Sequence, residues 1–155
     1  SEAMSSEMVP VKIRGILPVN NGEAVFLGNK DKVFVIQIER SMGEVIKMFI
    51  QNKAKQRPLT HDLMAHVFQG FGINVERILI SELKGTTYYA RMVLQQRNEL
   101  GRKIVEVDAR PSDCLAMATA QKKPIFVSAP LFEEVEDMSH ILEDIKNSSS
   151  PSDEL

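Results

Sequence analysis

The sequence contains no tryptophan and one cysteine, Cys114, in 155 residues. One thiol closes no internal bridge, and no Cys/Cys or Cys/His pair has zinc-finger spacing, so a disulfide scaffold and a structural zinc site are both excluded. No apolar run approaches the ~20 residues a membrane helix requires, and the opening SEAMSSEM has neither the basic start nor the apolar stretch of a secretory signal. The expectation is a cytoplasmic protein with no membrane association; Ser1-Glu2-Ala3 ahead of Met4 is given no weight. Eight glycines and seven prolines are too few for a collagen-like or low-complexity chain, and 43% hydrophobic with 26% charged residues is the balance of one globular domain. At this length folding hides roughly 70% of the surface of the unfolded chain, enough for a core without covalent staples.

The formal total of -2 hides an asymmetry between the body and the end of the chain. Residues 9–128 hold 18 Lys and Arg against 11 Asp and Glu, whereas residues 129–155 hold Lys146 against eight carboxylates. A basic body attracts polyanions, phosphates above all, or else is a solvated surface with an acidic tail for solubility. Residues 1–8 and the polar run Asn147 to Glu154 are expected to be disordered. That leaves a domain over residues 9–135 and an acidic helix and tail over 136–155.

Alternation from Val9 to Leu17 predicts a half-buried strand, followed by a turn at Asn20-Asn21-Gly22 and strands at Glu23–Leu27 and Val33–Ile38. The last is apolar on both faces and is expected at the centre of the sheet. Ser41 to Asn52 reads as a helix, with Ser41 and Glu44 as a capping box and an apolar stripe at Met42, Val45, Ile46, Phe49 and Ile50. After a basic link, Thr60 is expected to cap a second helix that buries Met64, Val67, Phe68 and Phe71. Strands Ile73–Leu83 and Thr86–Gln95 form a hairpin through Lys84-Gly85, and Gln96 to Arg102 connects to a strand at Lys103–Asp108. A small-residue helix, Pro111–Lys122, a short strand, Pro124–Ser128, and an amphipathic helix within Leu131–Lys146 complete the chain. The order predicts a single α+β domain: a mixed, largely antiparallel sheet with three to four helices packed on it. The apolar runs at Val33–Ile38 and Lys47–Ile50 suit a core or the interface of a homo-oligomer.

Titratable residues concentrate at two helix starts, Arg57-Pro58-Leu59-Thr60-His61-Asp62 and Glu106-Val107-Asp108-Ala109-Arg110-Pro111-Ser112-Asp113. In each, an arginine precedes a proline, and a hydroxyl residue and an aspartate open a helix. Free N–H groups at a helix start beside an arginine make a phosphate seat, with Arg57, Thr60, Arg110 and Ser112 as its donors; equally, Thr60 and Ser112 are ordinary caps and the arginines pair with the aspartates. Glu106 and Asp108 share a strand face that Asp113 can approach, a grouping that suits Mg²⁺ or Mn²⁺ or else a solvated strand end. His61, beside Asp62, is the candidate general acid or base. His66 sits one helical turn from Asp62, and His140 lies in the acidic tail. Tyr88 and Tyr89 beside Arg91 either stack bases or pack across strands, and Cys114 reads as a small buried hydrophobe.

Together RPLTHDL, VDARPSDCLAMA and PIFV, with the strands VKIRGIL and TTYYARMVL, resemble the bifunctional nuclease (BFN) domain family over about Val9 to Val135. Cys114 replaces the alanine usual there, and an acidic tail stands where some members carry a UVR-type extension. The resemblance implies an α+β domain that hydrolyses phosphodiester bonds in DNA and RNA. The residues suggest how: Asp62, Asp108 and Asp113 holding a divalent cation, Mg²⁺ or Mn²⁺, Arg57 and Arg110 neutralising phosphate charge, and His61 moving the proton. This requires the two junctions to meet. The alternatives are a non-catalytic module binding nucleic acid or a phosphorylated ligand, with a regulatory role, and an oligomeric scaffold that binds neither.

Overall fold

A computed structural model describes residues 7–148. Its first strand, β1 (Met8–Val19), turns Lys12 and Arg14 to solvent and buries Val11 and Ile16. Those two positions differ in parity because a register shift between Ile13 and Gly15 inserts a bulge. Strands β2 (Gly22–Gly28) and β3 (Val33–Ile38) complete an antiparallel meander. Next come α1 (Arg40–Ile50) and α2 (Thr60–Gly70), then β4 (Ile73–Lys84), β5 (Thr87–Asn98) and β6 (Gly101–Ala109), α3 (Pro111–Gln121), β7 (Ile125–Ser128), α4 (Ala129–Glu134) and α5 (Ser139–Ser148). The α+β expectation holds: one seven-stranded sheet in the order β3-β2-β1-β7-β4-β5-β6, antiparallel except where β7 runs parallel to β4.

The sheet curls around α3. Phe34 on β3 and Tyr88 on β5 have ring centroids 6.1 Å apart although four strands separate them in the sheet order. The enclosed helix is buried on every side, from Cys114 through Ala118, and its alanines and cysteine let strands and helices approach its backbone. Against it pack α1 and α2. β2 is buried throughout because its Val25 and Leu27 face the main core while Ala24 and Phe26 meet Leu142 of α5.

Several sequence expectations change here. Val33–Ile38 lies at one end of the strand order, not at its centre; curling buries one face, and the C-terminal segment covers its edge. The Val33 N–H donates to Asp137 Oδ1 at 3.2 Å, and the Met138 N–H donates to the Val33 carbonyl at 2.6 Å. The caps also move. β3 runs almost directly into α1, so Glu39 is the N-cap and Ser41 caps nothing; Leu59 precedes α2 and Arg110 precedes α3, which makes Thr60 and Ser112 helical residues instead of caps. On α2, Met64 and Phe68 pack against the core, but Val67 and Phe71 are 47% and 70% exposed. The connection between β5 and β6 shortens because both strands extend into it. Met8 belongs to β1, the Glu7 carbonyl before it accepts the Ala129 N–H at 3.1 Å, and Asn147–Ser148 belong to α5, while the rest of the terminal runs expected to be disordered lies outside the described residues.

Candidate active site

The two junctions meet. His61 in the first turn of α2 and Asp113 in the first turn of α3 are 52 residues apart in sequence, yet His61 Nε2 lies 2.9 Å from Asp113 Oδ1. Arg110, the N-cap of α3, donates from Nε to Asp113 Oδ2 at 3.0 Å and from Nη1 to Glu39 Oε1 at 2.7 Å. Four side chains, from the α1 N-cap, the first turn of α2 and the β6–α3 junction, thus form a chain from Glu39 to His61. His61 is 6% exposed, while Arg110 remains 58% exposed as a side chain. One end of this chain is held in the protein and the other faces solvent.

The chain borders a cleft of about 570 Å³ between α2 and the β5–β6 edge, lined also by Thr60, Met64, Phe68, Met92 and Asp108. Burial pushes the Asp113 carboxyl upward, but hydrogen bonds and charge from Arg110 and His61 outweigh it and hold the group below the ordinary carboxylate range. Asp113 in return raises Arg110. With Asp113 ionised, the proton between it and His61 resides on Nε2, so in the neutral ring Nδ1 carries the lone pair. This is the tautomer of a histidine oriented by a carboxylate to accept a proton.

Not all of the expected residues gather here. His61, Thr60, Asp108, Arg110 and Asp113 line the cleft, whereas Ser112 is buried beside a neighbouring hollow that also includes Glu39. Asp62 and Arg57 line a separate hollow with Lys55 and His66. There Asp62 accepts the Leu59 N–H at 2.8 Å and pairs with Lys55 at 3.5 Å, closing the helix start. The three carboxylates proposed for a cation therefore do not converge: Asp62 is engaged elsewhere, and both Asp113 oxygens are taken by His61 and Arg110. Among the described residues no cluster of three His, Cys, Asp or Glu side chains suits a metal ion. The residues present do not fit the ion as envisaged, and no step below runs through one. Glu39, which sequence reading missed, carried no local signal, since its partner is 71 residues away.

Cys114 is buried, and burial together with the charges of Asp113 and Asp108 pushes its thiol up to about 12. In mildly alkaline buffer the native protein is expected to resist iodoacetamide, and the urea-unfolded chain to label readily; mass spectrometry distinguishes the two.

The molecule is thus an α+β domain whose sheet curls around a buried helix and sets a carboxylate-bound histidine and an exposed guanidinium at one cleft. The chain belongs to the bifunctional nuclease domain family, whose profile matches residues 25–139. Two uncharacterized proteins of Mycobacterium tuberculosis, MT1877 of strain CDC 1551 / Oshkosh and Rv1829 of strain ATCC 25618 / H37Rv, are each 31% identical to it over 99 residues. That stretch is 64% of this chain and 56% of theirs, so the chain spans about half the length of the curated relatives it matches. No described helix is long and apolar enough to cross a membrane.

Proposed function

We propose that the protein hydrolyses phosphodiester bonds of DNA and RNA in the cleft between α2 and the β5–β6 edge. The observation that carries this is the His61–Asp113–Arg110 chain, assembled from two distant junctions at one concave surface. In this reading His61 Nδ1 takes the proton of the attacking water or hydroxyl. Asp113 fixes the ring and stabilises the imidazolium that forms. Arg110, with Nη2 uncommitted, meets the charge developing on the phosphate. Substrate backbone is held in part by a second hollow of about 870 Å³, whose charged lining residues are Lys12, Arg14, Lys30, Lys122 and Lys123. None of these five cations forms an ion pair with a described carboxylate.

The test compares the wild type with His61→Ala and Asp62→Asn on plasmid DNA and single-stranded RNA, each with Mg²⁺, Mn²⁺ or excess chelator. His61→Ala is expected to lose cleavage by about 10²-fold or more, and Asp62→Asn to retain it. Equal cleavage by all three proteins overturns the assignment. Loss of cleavage in Asp62→Asn while folded would restore that residue to the site, and the metal arms test the divalent cation separately. Salt-dependent binding without cleavage would instead favour a binding module acting through the basic hollow.

A further inference from the structure

The two ends of the sheet are treated differently. At β3 the chain covers its own edge with Asp137 and Met138, while at the other end eight of the nine residues of β6 are exposed and no segment among the described residues pairs with its outer edge. An open strand of this length, with free N–H and C=O groups, is a template for another strand. Exposed apolar side chains gather at the same end of the molecule. Of the ten exposed large hydrophobic residues among the described residues, Ile104, Val105 and Val107 lie on β6 and Leu100 in the turn before it. Leu63, Val67 and Phe71 add a stripe at i, i+4, i+8 along α2, next to the Met64 and Phe68 that border the cleft with β6.

The charges on β6 choose the occupant. Read from Gly101, the strand carries Arg102 and Lys103 in its first half, then Ile104 and Val105, then Glu106 and Asp108 in its second half. Such a strand is complementary to itself when reversed. A twofold axis perpendicular to an antiparallel pair keeps each residue on its own face, so the axis must pass through a residue paired with its own copy. Centring on Glu106 would oppose like charges. Centring on Val105 pairs the whole strand, Gly101 with Ala109, and sets Arg102 opposite Asp108 twice. Neither Arg102 nor Asp108 has an ion-pair partner among the described residues, whereas Glu106 already meets Arg91 at 3.7 Å.

We infer that a second copy of this chain pairs antiparallel with β6 about Val105, joining two seven-stranded sheets. The two α2 helices then lie on the same side of the joined sheet, because a perpendicular twofold keeps both helix layers on one side. The partner's Arg102 comes to Asp108 at the border of the cleft, adding a cation to a site whose own lining includes Asp108 and Asp113. The pairing itself is independent of the nuclease reading; only the value of that added cation rests on it.

The test is read on association, so it can succeed or fail apart from activity. Directly opposed residues in an antiparallel pair have Cα atoms about 4.5–5.5 Å apart, within disulfide reach. Val105→Cys is therefore expected to form a covalent dimer under mild oxidation, while the wild type, with only buried Cys114, does not. Arg102→Asp and Asp108→Arg are each expected to raise the dimer dissociation constant by about tenfold or more in sedimentation equilibrium, and the double variant to recover most of the loss. A monomeric wild type at micromolar concentration without Val105→Cys crosslinking overturns the inference. So does a dimer that neither charge reversal weakens, because another surface then holds it. Crosslinking by Ile104→Cys in preference to Val105→Cys would overturn the register.

Discussion

Asp113→Asn is expected to lower cleavage by about 10²–10⁴-fold while leaving the protein folded. An amide at this position can donate to Nε2, which would move the ring proton to Nδ1 and remove the lone pair that the proposed mechanism uses. It also forfeits the charge that stabilises the imidazolium. The loss should fall on kcat with little change in binding of a nucleic acid, since in the proposed mechanism Asp113 acts through His61 and Arg110. The same substitution has a signature independent of activity. The folded Asp113 carboxyl titrates below its unfolded value, so its links to His61 and Arg110 stabilise the fold above the ordinary carboxylate range. That contribution fades as pH falls through the folded value. The asparagine variant lacks it, and its unfolding free energy should decline less steeply in acid, as urea titrations at successive pH values would reveal. An unchanged acid slope together with unchanged kcat would remove Asp113 from the mechanism.

The largest effect on stability is expected from Lys47→Ala. Glu23 on β2 is 1% exposed, and its Oε1 meets Lys47 Nζ of α1 at 3.0 Å, while Oε2 has no hydrogen-bond partner. Gly43 makes this arrangement possible: a Cβ there would fall 2.3 Å from Glu23 Cγ. Removing the lysine strands a carboxylate inside the protein, at a cost of about 3–5 kcal/mol in chemical unfolding. Replacing both partners with apolar residues, as in Glu23→Leu with Lys47→Met, should return most of that loss. If Lys47→Ala unfolds within about 1 kcal/mol of the wild type, the pair is hydrated in solution.

The contrast between Asp62 and Asp113 shows what was legible in the sequence. Both occupy the third position of a helix that follows an Arg-Pro pair, and that shared plan marked the two junctions as a site. It did not say which aspartate would be free for chemistry. Ahead of α2, Leu59 has no side-chain acceptor and its N–H takes Asp62. In α3 the corresponding N-cap is Arg110, and Asp113 is drawn to that residue's guanidinium and to His61 instead of to its backbone N–H. Alternation along β1 as far as Ile13 and the stripe of α1 at Met42, Val45, Ile46 and Phe49 likewise reported local structure, although Ile50 at the end of that stripe is 50% exposed. The position of β3 was hidden for a different reason. Burial on both faces reads as a central strand, and here it arises from the curl of the sheet and a cap supplied about 100 residues later. No local pattern encodes either of these, nor the contact between Glu39 and Arg110.

The position of β7 has a consequence for the order in which the molecule is made. Only Ile125–Ser128 joins β1 to β4, pairing with Met8–Val11 on one side and with Ile78–Ile80 on the other. During synthesis the β1–β3 meander and the β4–β6 ribbon emerge first, with a gap where the last strand belongs. Two half-sheets with open inner edges must therefore wait for a four-residue splice, and the sheet becomes a single cooperative unit only once the chain through Ser128 has left the ribosome.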